Sequence, residues 1–403
     1  MPRDFSLVVA ARFLFSFAVQ IQAVVIGWQV YDLTHDPLYL GLIGLAEAIP
    51  ALTLALISGY VVDRGNPLKI YRNVILLSLC SAALLFGLST GMINIPEQSK
   101  LPWIYLAALI TGTARGFSGP ALNSLIPRLV ERKVLHITSA WVTSAFHFAS
   151  VAGPALGGIL YAWAGPKLPY GMGCTLLLIS IGCLAGVRHK IALNLKPETQ
   201  PIFERLTSGI RFVFGHQLLI SALTLDMFAV LFGGATALLP IFAGEILSIG
   251  PTGLGILRAA PAAGALIASL LLVRFPVSHG AGKTLLSCIT GFGLCMIGFG
   301  LSRDFTLSLI FLVMSGALDS VSMVIRQAIV QLCSPDEMRG RVAAVNSFFI
   351  GSSNELGAFE SGVAAKLLGT VTAVVFGGCV TLVSVAVAGV RAPKLRAMDL
   401  SKL

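Results

Sequence analysis

The 403-residue sequence predicts an all-α membrane protein, with twelve transmembrane helices in two six-helix bundles related by pseudo-twofold symmetry. Three observations lead there. Charged residues make up only 11% of the chain, where a soluble domain carries about a quarter. Apolar residues, 56% of the total, fall in long runs such as 104–110 and 175–187, and a run near ~20 apolar residues is what a bilayer-spanning helix requires. A polar segment with two prolines divides the spans six and six, and the second span of each half shares a short pattern.

In chain order the spans cover 5–31, 38–62, 70–93, 101–125, 138–163, 168–188, 217–246, 251–274, 283–302, 305–330, 342–366 and 370–390. Each is long enough, at about 1.5 Å per residue, to cross roughly 30 Å of hydrocarbon. The opening MPRDF has no small-residue cleavage site after its apolar stretch, so span one reads as retained. Between spans six and seven, KPETQP has no apolar period and reads as a linker. Beyond it Phe203, Leu206, Ile210 and Val213 recur at helical spacing with Glu204, Arg205 and Arg211 between them, as in an amphipathic surface helix. The expected organisation is an N-terminal bundle over 1–188, a cytoplasmic linker with an amphipathic helix over 189–216, and a C-terminal bundle over 217–403.

The net charge of +10 does not point to nucleic acid, because the basic residues collect in short loops. One set of loops holds twenty of them, including Arg64, Lys69, Arg72, Arg128, Arg188 and Arg391. The opposite set holds four: Lys100, Lys167, Arg303 and Lys366. The positive-inside rule puts the first set and both termini in the cytoplasm of a multi-pass inner (plasma) membrane protein.

Duplication sharpens the picture. Span two contains Gly44-Leu-Ala-Glu47-Ala-Ile-Pro50 and span eight Gly255-Ile-Leu-Arg258-Ala-Ala-Pro261, so Glu47 and Arg258 occupy one position of the repeat. A second register, Gly112 on Gly316, sets Arg115 opposite Asp319 and Gly153 opposite Gly357. Parallel repeats about an axis along the membrane normal are a transporter architecture, with the substrate site between the halves.

Ionisable groups inside spans are costly unless paired or hydrated, so each is a functional candidate. The candidates for proton coupling are Glu47, Asp226, Asp319, Glu355 and Glu360. Those for charge pairing or cavity lining are Arg115, Arg258, Arg326 and Asn354. Arg12, near the start of span one, reads as snorkelling to the interface. Asp319 and Arg326 lie about two turns apart on one helical face, too far for a direct pair. Glu355, Glu360 and Asn354 belong to NSFFIGSSNELGAFESG, the most polar span, which should face a cavity. Glu47 is either a lone carboxylate satisfied within its own surroundings or one side of a pseudo-symmetric pair lining a path. A carboxylate whose arginine partner comes and goes with conformation could load and release a proton.

Enzyme chemistry is not indicated. Seven cysteines stand singly and six histidines form no ligand pair, so no metal or cofactor is expected. No GxxxxGK[ST] phosphate loop occurs, and no nucleophile stands with a base.

Several motifs carry a family resemblance. The loop after span two, Gly59-Tyr-Val-Val-Asp63-Arg64-Gly65-Asn-Pro-Leu-Lys69, resembles the glycine–aspartate–arginine signature of the major facilitator superfamily. It differs in that Asn66-Pro67 replaces the usual basic pair. Arg115-Gly-Phe-Ser-Gly-Pro-Ala in span four is similar to that superfamily's membrane arginine motif. Gly153-Pro154-Ala-Leu-Gly157-Gly158 in span five resembles the signature of its antiporter branch. Together with DMFAVLFGG, ALLPIFA, IRQAIVQLCSPDEMRGRV and NELGAFESG, the chain looks like the enterobactin-exporter and macrolide-efflux branch. The resemblance implies the major facilitator fold and a monomeric, proton-coupled exporter of an amphipathic small molecule, a siderophore or drug, working by alternating access. It gives Gly59, Asp63, Arg64 and Lys69 to a cytoplasmic gate and Arg115 to proton transfer. An importer of a small metabolite or metal chelate, or a lipid flippase, stays open as an alternative.

Overall fold

The computed structural model describes residues 3–93, 95–130, 135–188, 202–277, 279–335 and 338–399. Among them every regular element is helical. The first is α1, Arg3–Thr34. Next, α2 (Pro37–Arg64) starts where Asp36 accepts the Leu38 amide at 3.0 Å and Pro37 fills the first helical position. Asn66 likewise caps α3 (Pro67–Thr90), accepting from the amides of Leu68 and Lys69. The Asn-Pro that departs from the family loop pattern is therefore a helix start, and Gly91 ends α3 in the left-handed region. The first bundle continues with α4 (Leu101–Leu125), α5 (Leu135–Ala164) and α6 (Lys167–Ala185).

Then come α7 (Ile202–Gly215), α8 (Gln217–Gly233) and the single turn α9 (Leu239–Ile241). The remaining elements are α10 (Gly250–Arg274), α11 (Ala281–Leu301), α12 (Phe305–Cys333), α13 (Arg339–Leu368), α14 (Thr370–Arg391) and the short α15 (Pro393–Arg396). The KPETQP linker lies outside the described residues. So do the side chains of Phe203 and Leu206, while Val213 of the same helix is fully buried and Ile210 exposed.

Ten described segments are long and apolar enough to cross a membrane. The helices α4 and α13, 25 and 30 residues, are long enough but more polar. They carry Arg115, Glu355 and Glu360 among glycines, serines and threonines, which is how a span facing a cavity should read.

Contacts divide the chain into two compact units. One comprises Met1–Pro197 with Pro240–Ala259, the other Glu198–Leu239 with Ala260–Leu403. In the first unit α1 packs against α5 and α6, and α4 against α2 and α3. Its apolar centre is built on Phe5, Val8, Phe15, Tyr71, Ile75 and Leu125. A buried polar knot joins three helices there: the Gln22 side-chain amide donates to Ser81 Oγ at 3.0 Å and Thr111 Oγ1 at 3.2 Å. In the second unit α11 packs against α12 and α14, and α8 against α13 and α14. Leu219, Leu223, Leu285, Ile325 and Ile329 lie at its core. Lipid is as apolar as leucine, so close van der Waals approach through small residues is what holds such helices together.

Candidate functional site

Close helix crossings position the charges of the first unit. Gly112 and Gly116, one turn apart on α4, face α2. A Cβ at Gly112 would fall on the Glu47 backbone, and one at Gly116 would sit 3.2 Å from the Ala51 carbonyl oxygen. The absence of side chains brings the two backbones together, and Arg115 Nη1 then meets Glu47 Oε2 at 2.6 Å. The Glu47 carboxylate is mostly buried, 15% accessible, and the arginine is 43% accessible. Such a charge-assisted contact holds α2 to α4 at mid-helix. Gly112→Val is expected to lower stability by about 1–3 kcal/mol through overpacking and to separate the pair. Thermal unfolding against Gly119→Ala, where nothing lies within 4 Å of the added methyl, checks it.

Arg258 is not at Glu47. Its Nη1 donates to the Ala23 carbonyl of α1 at 3.3 Å, beside Gly27. The two repeat positions thus make different contacts, although the crossings themselves repeat. As Gly112 of α4 lies on Glu47 of α2, Gly316 of α12 lies on the Pro261 backbone of α10.

In the second unit Arg326 of α12 forms an ion pair with Asp226 of α8, and both side chains are buried. Asp319, two turns along α12, does not join that pair but lines the same small cavity as Asp226, with Phe292, Leu318 and Ser322. The cavity is about the size of one water molecule. The buried Ser322 hydroxyl has no hydrogen-bond partner among the described residues. Two carboxylates and one guanidinium therefore share one apolar setting.

The polar face of α13 is distributed. Glu355 is buried and Glu360 half-buried, while Asn354 is exposed and donates to the Ile350 carbonyl of its own helix at 2.8 Å. Gly357 packs on the Leu231 carbonyl, its Cβ position 2.8 Å away.

The seventh span keeps its expected bounds, 217 to 246, but is not one regular helix. The helix α8 ends at Gly233, and the chain continues through a 3₁₀ turn at Thr236–Leu238, α9, and a π-helical stretch at Phe242–Ile246. The Gly233-Gly234 doublet allows the stop. Intramembrane carbonyls freed by such a break need new donors, and Ser361 Oγ donates to the Gly234 carbonyl at 2.9 Å. A Cβ at Gly377 of α14 would meet the Phe232 carbonyl, so that helix too closes on the break.

The glycine-proline motif of α5 works as two faces. Gly153 and Gly157 rest on α1, at 2.8 Å from the Gln20 Cβ and 3.2 Å from the Ile21 carbonyl oxygen as measured from an added Cβ. Gly158 faces the other way: its Cβ would lie on the Pro251 carbonyl and 2.9 Å from the Gly255 Cα of α10. In return, a Cβ on Gly255 would approach the Pro154 carbonyl oxygen to 2.5 Å. At the end of α2 and the start of α3, Arg64 and Lys69 are exposed, Arg64 stands over the Tyr60 ring at 4.3 Å, and Gly59 has open space around it. The side chain of Asp63 lies outside the described residues.

Reading the sequence missed the Glu47–Arg115 pair, although Gly112-Thr-Ala-Arg-Gly116 carried its signal as a small-xxx-small crossing motif. It missed Ser361 as the donor that completes the broken span, for which no local signal exists. Among the described residues, no three His, Cys, Asp or Glu side chains gather to hold a metal ion.

Comparison with known proteins places this geometry in context. A family model described as transmembrane secretion effector matches residues 3–403. Over 339 residues the chain is 26% identical to the enterobactin exporter EntS of Escherichia coli O1:K1 / APEC, covering 84% of this chain and 79% of that protein. Among solved structures, a bacterial homologue of the iron transporter ferroportin in an inward-facing state aligns with a TM-score of 0.70 at 17% identity, over 98% of this chain and 99% of that one. The nucleoside transporter NupG aligns with a TM-score of 0.70 at 14% identity, over 98% and 99%.

Proposed function

Since the chain belongs to the transmembrane secretion effector family of the major facilitator superfamily, and is a small-molecule membrane transporter rather than an enzyme, we propose that it is a proton-coupled exporter of an amphipathic small molecule, working by alternating access. The observation that carries the coupling is the buried Asp226–Arg326 pair with Asp319 on the same cavity. If Arg326 leaves one carboxylate as the helices shift, that carboxylate takes up a proton, and the returning guanidinium displaces it. Asp319 is the carboxylate outside the pair and so the first candidate for the travelling proton. Glu47 with Arg115 makes a second, more accessible charge pair. Glu355 and Glu360 line the polar span, and Arg258 holds α1 through the Ala23 carbonyl.

Export in preference to import is supported by the match to EntS and by the resemblance of Gly153-Pro154-Ala-Leu-Gly157-Gly158 to the antiporter signature. A siderophore is the substrate class that match suggests. The loop charges favour an orientation in the bacterial inner membrane with both termini cytoplasmic; we take the transporter to act as a monomer, with Gly59, Asp63, Arg64 and Lys69 forming the cytoplasmic gate.

Inside-out vesicles containing the protein, energised by an inward-acidic proton gradient, should accumulate substrate, and collapsing the gradient should stop them. Asp319→Asn is expected to cut gradient-driven accumulation more than tenfold while leaving counterflow exchange measurable. Wild-type rates of driven transport in Asp319→Asn would remove that residue from the coupling. Accumulation only in right-side-out vesicles would make the protein an importer.

A further inference from the structure

We propose that Arg12, with the phenylalanine rings of α1 and α5 beside it, forms a binding site for an anionic aromatic group; its use in transport rests on the exporter reading above. Arg12 stands nine residues beyond the start of α1, roughly 14 Å along the helix axis. Its Nε is buried without a hydrogen-bond partner among the described residues, and its guanidinium carbon stands 5.4 Å from the centre of the Phe146 ring of α5. No carboxylate among the described residues forms an ion pair with it. The other three arginines within spans meet a carboxylate or a carbonyl, Arg115 at Glu47, Arg258 at Ala23 and Arg326 at Asp226, whereas Arg12 meets the Tyr71 hydroxyl and the Phe146 ring.

A guanidinium turned to lipid at this depth is costly, so the surface carrying Arg12 is not a plain lipid-facing one. Around it the rings are open. Phe146 is 41% exposed and Phe148 59%, and Phe13 lies 5.5 Å from Phe17 and 5.9 Å from Phe148. The buried Tyr71 side chain lies within interaction distance of Arg12. A fixed positive charge stacked on one ring, with further rings alongside, matches a ligand that is planar, aromatic and negatively charged. The anion takes the fork of guanidinium donors, and the ligand ring packs on the phenylalanines. A cationic ligand would meet the like charge of Arg12, and a saturated anion would lose the ring contacts.

The test uses the full-length protein in lipid nanodiscs and three probes of one shape class: 2-naphthoate, its neutral amide, and the saturated decahydronaphthalene-2-carboxylate. Binding is measured by equilibrium dialysis against empty nanodiscs. Wild-type protein should prefer naphthoate to either analogue by about tenfold, the scale of one charge-assisted contact or one ring contact set. Arg12→Gln should abolish the preference for naphthoate over the amide, and Arg12→Lys should retain part of it. Phe146→Leu should weaken naphthoate several-fold and leave the saturated acid unchanged, a readout that stands even if Arg12→Gln does not fold. Equal binding of naphthoate and its amide by wild-type protein would overturn the site, as would unchanged naphthoate binding in a folded Arg12→Gln. Selective binding without gradient-driven accumulation of naphthoate by inside-out vesicles would uphold the site and count against the exporter reading.

Discussion

Arg326→Ala should leave little folded protein. It removes the partner of Asp226, whose side chain is 7% accessible, and leaves a carboxylate in an apolar helix junction. Breaking a buried pair from one side costs about 3–5 kcal/mol, against a total stability of only about 5–15 kcal/mol. Asp226→Ala should be comparably harmful, because the orphan is then a guanidinium. The double variant Asp226→Leu with Arg326→Met behaves differently: it replaces both charges by apolar groups of similar length, and such replacements are often neutral for stability. It should regain most of the wild-type melting temperature and still fail to move substrate against a gradient. Detergent-solubilised yield, size-exclusion profile and melting temperature measure the first part, and vesicle transport the second. Single variants that melt with the wild type would show that the pair contributes nothing to the fold.

Gly158→Leu should cost transport more than any neighbouring change in α5. The crossing of Gly158 and Gly255 puts two backbones in direct contact, with the Pro251 carbonyl where the first side-chain atom would go. A leucine cannot be accommodated by rotating a neighbour, since the obstacles are backbone atoms. Overpacking by single methylenes costs about 1–3 kcal/mol, and here the whole crossing must open. Transport per folded molecule is expected to fall more than tenfold. Gly158→Ala should show a smaller loss, and Gly173→Ala, with nothing within 4 Å of the new methyl, none. Transport by Gly158→Leu at the wild-type rate would mean that the α5–α10 contact is dispensable to the cycle.

Much of the fold was legible because lipid imposes a simple rule: backbone groups must be satisfied locally, so length and apolarity mark the spans. Charges out of place were equally visible, as Asp226, Arg326 and Glu47 stand in apolar runs. What they touch was not. Asp226 and Arg326 are 100 positions apart, on helices whose rotation is set by packing, and no local pattern fixes that rotation. The repeat put Glu47 and Arg258 at one position, but shared position does not give shared contact; Glu47 holds Arg115, because Gly112 lets α4 approach at that level. The Gly233-Gly234 doublet stands inside the span read from 217 to 246. That the helix would stop there depended on donors from α13.

The interruption of the seventh span bears on how the chain is made. Alone, α8 has 17 residues, roughly 26 Å of helix, short of the ~30 Å hydrocarbon core. Its irregular continuation depends on Ser361, 127 residues further on, and on the glycine face of α14 beyond that. During synthesis the seventh span leaves the ribosome long before either exists. The contacts seen at the break can therefore form only after α13 and α14 have been made, when nearly the whole polypeptide exists.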